Sequence, residues 1–288
     1  MEKLVQEQFE SFYKNSYLDF NSDTIDYFGV NISELSNEIC DFKIYYKDRH
    51  SREVSHPLIE YLLNKDMIRY ITMVQDIDVP LRKRFDIGLK NRTRVNMNEL
   101  FDYLYNNSAI FKKFENEIKR TSLMKINDSE EYEFAALYFL GFISYGEEIE
   151  VLKCHYFNRF CDNPNILHKN YKFNDEYYLD FLSKVEISQY VQLSVIVRRL
   201  LEICGGHLWM TGSDYSSNKL KYKIYIKNPD NVYDGLAVSF GDLLKTENRL
   251  VEKIRTIKKW NFKNPEFLCE GFAVCLSDDN ELSINFYY

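Results

Sequence analysis

The chain has 288 residues and a net charge of −7, with 45% hydrophobic and 28% charged residues. That balance belongs to a folded globular protein, and its acidic sign gives no electrostatic reason to bind nucleic acid. No run of about 18 apolar residues is present to cross a bilayer. The opening Met1-Glu2-Lys3-Leu4 lacks the apolar stretch of a signal peptide, so a cytoplasmic protein with no membrane partner is expected. The six cysteines (Cys40, Cys154, Cys161, Cys204, Cys269 and Cys275) form no CxxC pair. They read as buried free thiols rather than as a zinc site.

In chain order, residues 2–17 read as a helix. Tyr27–Ile32, a turn near Ser36-Asn37 and Ile39–Lys47 form a first β-hairpin. Pro57–Asn64 is a short helix. Ile68–Asp76, a turn near Pro80 and Lys83–Lys90 form the second hairpin. Met97–Lys119 reads as one or two helices with Leu100, Phe101, Leu104, Ile110 and Phe111 on one face. Ala136–Tyr145, Gly146-Glu147 and Ile149–Phe160 make the third hairpin. Two helices span Tyr177–Cys204 and stop at Gly205-Gly206. The fourth hairpin runs from Leu208 to Lys227 about a turn at Ser216–Asn218. Thr246–Trp260 is a helix with a polar cap at Thr246. Gly271–Ser277 and Leu282–Tyr288 close the series as a fifth hairpin. Its turn, Asp278-Asp279-Asn280, is acidic, but it reads as a turn rather than as a metal-binding box on a helix. No linker or low-complexity tract divides the chain, and one domain over 1–288, built of about five helix-plus-hairpin repeats, is expected.

The second strand of each hairpin carries the chemistry. Side chains alternate across a strand. Asp41, Lys43, Tyr45 and Lys47 therefore share a face opposite Phe42, Ile44 and Tyr46. Arg84, Asp86, Gly88 and Lys90 oppose Phe85, Ile87 and Leu89. Lys153, His155, Phe157 and Arg159 oppose Leu152, Cys154 and Tyr156. Lys221, Lys223, Tyr225 and Lys227 oppose Tyr222, Ile224 and Ile226. Ser283, Asn285 and Tyr287 oppose Ile284 and Phe286. A solvated sheet face would mix Glu with Lys for cross-strand pairing. Here the acids on that face are Asp41 and Asp86, and clustered cations suit an anionic ligand such as a diphosphate. Ten antiparallel strands with this face inward and helices over the apolar face would close into a barrel, which removes the sheet edges. An open sheet used as an interaction platform is the other arrangement the pattern allows.

Repeated ααββ units around a basic, aromatic lumen resemble the ABBA (PT-barrel) soluble prenyltransferases, including cyanobactin-type enzymes that prenylate peptides. The resemblance implies an α+β fold: a closed antiparallel ten-stranded barrel surrounded by helices. It implies transfer of an allylic group from dimethylallyl or geranyl diphosphate to an aromatic small molecule or a peptide. Carried residue by residue, it makes Lys43, Arg84, Lys153, Arg159, Lys223 and Lys227 diphosphate ligands, and Tyr45, Tyr225 and Tyr287 the shield of the allylic cation. His155 and Phe157 become acceptor or ligand contacts. The family places its base on an early strand, which points to Asp41, with Glu34, Glu38, Asp86 and Asp214 as other options. Asn285 stands where a cation is expected on the last strand. No resident cofactor is implied, and Mg²⁺ would enter only with the diphosphate. The alternative is a non-catalytic barrel that binds an anionic ligand or a peptide.

Overall fold

The computed structural model describes Glu7 and residues 25–35, 41–48, 55–76, 83–122, 124–125, 132–133, 137–157, 175–184, 186–243, 249–263 and 268–288. The rest of the expected helix over 2–17, the first two hairpin turns and the Thr246 cap lie outside them, as do Cys40, Cys161 and Arg159.

Ten strands make the main sheet: β1 (Ile25–Ser33), β2 (Asp41–Asp48), β3 (Ile68–Asp76), β4 (Lys83–Leu89), β5 (Leu137–Tyr145), β6 (Glu148–Phe157), β7 (His207–Ser216), β8 (Leu220–Lys227), β9 (Gly271–Ser277) and β10 (Leu282–Tyr287). Each is antiparallel to its neighbours in sequence, so the sheet is a meander that curls on itself. β1 pairs with β2 through Gly29↔Lys43 and with β10 through Gly29↔Tyr287, so the order of pairing returns to its start. A separate two-residue ladder joins Met124–Lys125 to Tyr132–Glu133.

Seven helices are found among the described residues: α1 (Pro57–Asn64), α2 (Arg94–Asn107), α3 (Ala109–Ser122), α4 (Asp175–Lys184), α5 (Ser188–Cys204), α6 (Val232–Leu243) and α7 (Arg249–Lys263). Their starts and stops follow local chemistry. Pro57 begins α1, where its missing N–H costs nothing, and His56 Nδ1 accepts from Leu58 N at 3.2 Å. Thr93 Oγ1 caps α2 by accepting from Asn96 N. Gly205, at φ 67°, ends α5 in a region that side chains other than glycine's seldom adopt.

The core lies between the strands' apolar face and the helices. Leu250, Ile254, Ile257 and Trp260 of α7 are spaced for one helical stripe and are all buried. Tyr190, Leu193, Val197 and Leu200 do the same on α5, against Ile224, Phe272 and Val274 among other strand residues. Cys154, Cys204 and Cys275 are buried free thiols, and Cys269 is partly buried. Burial pushes Cys154 up to about 12 and Cys204 to about 11, which leaves both inert as nucleophiles. The acidic stretch Asp278-Asp279 is a hairpin turn, with Asn280 in the left-handed region at φ 62°. No helix among the described residues is long and apolar enough to cross a membrane.

Candidate active site

The inward face of the strands encloses a cavity of about 460 Å³. Arg84, Lys153, Lys223, Lys43 and Lys227 line it, as do Tyr45, Tyr225, Tyr287, His155 and Asn285. The single alternation that buries Leu152, Cys154, Ile224 and Ile226 under helices turns Lys153, His155, Lys223 and Tyr225 inward. The side chains of Asp41 and Phe157 lie outside the described residues, although Asp41 pairs across the strands with Asn31.

One belt of the lumen is charged. Cross-strand pairing runs from Asp86 to Gly141, Lys153, Asp214 and Lys221 in turn. Lys223 Nζ donates to Asp214 Oδ2 at 2.5 Å, and Lys153 Nζ stands 3.9 Å from the same oxygen. Arg84 lies 3.6 Å from Asp86. Arg84, Lys153 and Lys223 are each no more than 7% exposed, which makes this a desolvated set of three cations and two carboxylates. Burial works against charge on Asp214, yet Lys223 and Lys153 overcome it and hold the carboxyl well below the usual range. For Asp86 the burial cost is outweighed in the same way by Arg84, Lys153, His155 and Lys223. Lys153 is pushed down to about 7, first by burial and then by Arg84, with Asp214 opposing.

That shift carries a test. The unfolded lysine titrates near 10.5, so below about pH 7 the folded state bears the full cost of the buried charge, and the cost fades as pH rises from 7 toward 10.5. Arg84 and Asp86 on β4, His155 on β6, Asp214 on β7 and Lys223 on β8 all act on this amine or its neighbours. Lys153→Met should therefore gain stability relative to the native protein as pH is lowered from roughly 9 to roughly 6. Melting curves of both proteins at the two pH values check this, and a difference independent of pH would contradict it.

A second belt is aromatic. Tyr45 and Tyr287 meet edge-on at 6.4 Å between centroids, and Tyr287 and Tyr225 lie 5.8 Å apart with their rings tilted by 30°. Tyr225 and His155 follow at 5.6 Å, His155 and Phe139 at 6.1 Å, and Phe139 and Tyr70 at 5.8 Å. The Arg84 guanidinium stands 5.7 Å from the Tyr45 ring, which joins the two belts. Tyr225 Oη and His155 Nε2 share a hydrogen bond of 3.0 Å. Burial holds His155 down to about 4, so its ring is neutral near pH 7, and its buried Nδ1 has no hydrogen-bond partner among the described residues. Trp209 and Tyr138 also line the cavity, and Lys227 Nζ sits 5.0 Å from the Trp209 ring.

Two glycines make room for these side chains. A Cβ on Gly212 would fall 2.5 Å from His155 Cδ2 and 3.3 Å from Tyr225 Cε2, and one on Gly141 would strike Asp86. Gly212→Ala is expected to cost about 1–3 kcal/mol through overpacking, and to break the Tyr225–His155 hydrogen bond. A denaturant melt reads the first effect; unchanged stability would show that the lumen wall yields at this point.

Asn285 is neither cationic nor idle. It receives a hydrogen bond from Asn31 and donates to Cys275 Sγ at 3.5 Å, forming an uncharged link between strands. Asp214 was visible in the sequence only as one carboxylate among several. Tyr70, Phe139 and Met210 do not stand out in the sequence, and Trp209 does so only as the neighbour of His207, which reads as structural. All five sit on first strands of hairpins, and the signal that finds them is the curl of the sheet: both strands of every hairpin contribute side chains to its inward face.

No family model matches the sequence, and no curated protein matches it. Solved structures do. AnaPT from Neosartorya fischeri superposes with a TM-score of 0.60 at 10% identity, over 100% of this chain and 90% of that one. The NotF complex with brevianamide F and DMSPP gives 0.60 at 11%, over 95% and 81%. The 5-dimethylallyl tryptophan synthase from Streptomyces coelicolor, in complex with DMASPP and Trp, gives 0.56 at 9%, over 94% and 80%. The chain has the ABBA prenyltransferase fold. At these identities the likeness concerns architecture, and an ABBA lumen can be assigned chemistry only through the residues that line it.

Proposed function

We propose that this chain is a prenyltransferase that moves an allylic isoprenoid group from its diphosphate to an aromatic or peptide side-chain acceptor. The observation that carries the reading is the stacking of two belts in one enclosed lumen: buried Arg84, Lys153 and Lys223 beside a continuous wall of Tyr45, Tyr287 and Tyr225. The known ligands of the structural neighbours, DMASPP or DMSPP with Trp or brevianamide F, support the same chemistry.

In this reading the ten-stranded ring is the closed PT barrel of one domain, in the cytoplasm, and the lumen is its reaction chamber. Arg84, Lys153 and Lys223 take the diphosphate, with Lys43, Lys227 and Arg159 as further ligands. As the allylic C–O bond breaks, its electron pair leaves with the diphosphate, and the fixed cations stabilise the charge that develops there. Tyr45, Tyr225 and Tyr287 face the allylic cation with electron-rich rings and keep water from it. The acceptor carbon or heteroatom, held against His155 and Phe157, forms the new bond, and its proton passes to a carboxylate, assigned to Asp41. Mg²⁺ travelling with the diphosphate would add to the positive charge, and titrations with and without a chelator read its share.

Calorimetric titration with dimethylallyl and geranyl diphosphate, followed by product analysis over tryptophan, tyrosine and cyclic peptides, tests the proposal. Saturable binding and a prenylated product are expected; no binding of either donor contradicts it. One feature favours the non-catalytic alternative: Asp86 and Asp214 already neutralise much of the cationic belt. That alternative predicts anion or peptide binding without turnover.

A further inference from the structure

We propose that Asp214 is a built-in counter-anion of the donor site, which holds Lys153 and Lys223 until a diphosphate displaces it and so sets the site's preference for diphosphate over monophosphate. The inference rests on the proposed function for the identity of the ligand, but its logic concerns this chain's own charges.

Asp214 Oδ2 is shared between Lys223 at 2.5 Å and Lys153 at 3.9 Å, the two cations that stand beside it on β8 and β6. Its other oxygen, Oδ1, is buried and has no hydrogen-bond partner among the described residues. A carboxylate whose task was only structural would be expected to satisfy both oxygens in so dry a place. Asp86 repeats the arrangement beside Arg84, again with Oδ1 bare. Counted as ionised, Arg84, Lys153 and Lys223 against Asp86 and Asp214 sum to a charge of +1, and Lys43, Lys221 and Lys227 line the same cavity. A small anion entering that belt gains from the cations but is repelled by two fixed carboxylates, which it cannot outbid for the same ammonium groups. A diphosphate presents several charged oxygens on two phosphorus centres. It can engage both lysines and the guanidinium together, and charge-assisted contacts in a desolvated site are strong. Asp214 thus acts as a threshold: it keeps the lysines positioned and neutralised, and yields them only to a ligand that binds several cations at once. No covalent step is involved.

The test is calorimetric titration of inorganic diphosphate and inorganic phosphate into the native protein, Asp214→Asn and Asp86→Asn. The native protein should prefer diphosphate by about 100-fold or more. Asp214→Asn should bind phosphate at least about 10-fold more tightly than the native protein and diphosphate at least as tightly, so that the preference shrinks. Asp86→Asn should shift the ratio in the same direction. A folded Asp214→Asn protein, shown by an unchanged circular dichroism spectrum, that binds both anions more weakly overturns the proposal, because the carboxylate would then only position the lysines. A native protein that binds phosphate nearly as well as diphosphate overturns it without any variant. Dimethylallyl diphosphate, titrated in parallel, tests the functional reading separately. If the native protein prefers inorganic diphosphate and Asp214→Asn loses that preference while neither binds the allylic donor, this inference stands and the prenyl reading fails.

Discussion

Replacing Lys223 with alanine is expected to weaken binding of dimethylallyl diphosphate by about 30- to 4000-fold, equivalent to the ~2–5 kcal/mol that truncation of a buried charge partner costs. Lys223 is 5% exposed and 2.5 Å from Asp214. Its removal acts twice. It takes a charge from the proposed donor site, and it leaves Lys153, at 3.9 Å, as the ion-pair partner of Asp214 among the described residues. The second effect should appear as a loss of folding stability of about 3–5 kcal/mol. The double variant Lys223→Ala/Asp214→Asn separates the two: it should recover most of the stability and little of the affinity. If affinity returns with stability, Lys223 supports the fold and is not a donor ligand.

The aromatic belt should fail differently. Changing Tyr225 and Tyr287 together to leucine is expected to lower kcat by about 5- to 700-fold, from two cation–π contacts of ~0.5–2 kcal/mol each, while the Kd of the diphosphate changes less than about threefold. The two rings lie 5.8 Å apart and form the part of the wall between Tyr45 and His155. In the proposed reaction they meet charge that exists only as the C–O bond breaks, so their loss should fall on turnover rather than on binding. Single-turnover rates with saturating donor check this. An unchanged rate with a raised Kd would place the rings against the ground-state prenyl chain instead.

Much of the fold was legible because second strands carry opposite chemistry on their two faces. Leu152, Cys154 and Tyr156 against Lys153, His155 and Phe157 is a pattern that only a half-dry strand explains. First strands hid their faces. On β7 the helix-facing residues are Thr211, Ser213 and Tyr215, all buried beneath α3–α5. Thr211 is satisfied by Tyr178 Oη at 2.9 Å, and Ser213 by Tyr190 Oη at 2.8 Å. With hydroxyls on the dry side and Met210, Gly212 and Asp214 on the lumen side, alternation of polarity cannot say which face is in. Asp214 was invisible as a partner of Lys153 and Lys223 for that reason, although register alone sets it directly across from Lys153. Helix α6 was also missed. Its sequence, with Val232, Gly235, Val238 and Gly241, has poor intrinsic helix propensity, and packing of buried Leu236 and Phe240 fixes it instead. The anchoring cations were easier. Arg84 has Arg82 and Lys83 beside it in the sequence, and its own side chain stands in the lumen wall.

The most direct test of the account is a crystal structure with an unreactive thio analogue of dimethylallyl diphosphate. The diphosphate is predicted to lie within hydrogen-bonding distance of Lys153, Lys223 and Arg84, with Asp214 turned away from at least one lysine and the allylic carbon facing Tyr45, Tyr225 and Tyr287. A lumen without the analogue at saturating concentration, or an analogue bound with its diphosphate away from those three cations, would contradict it.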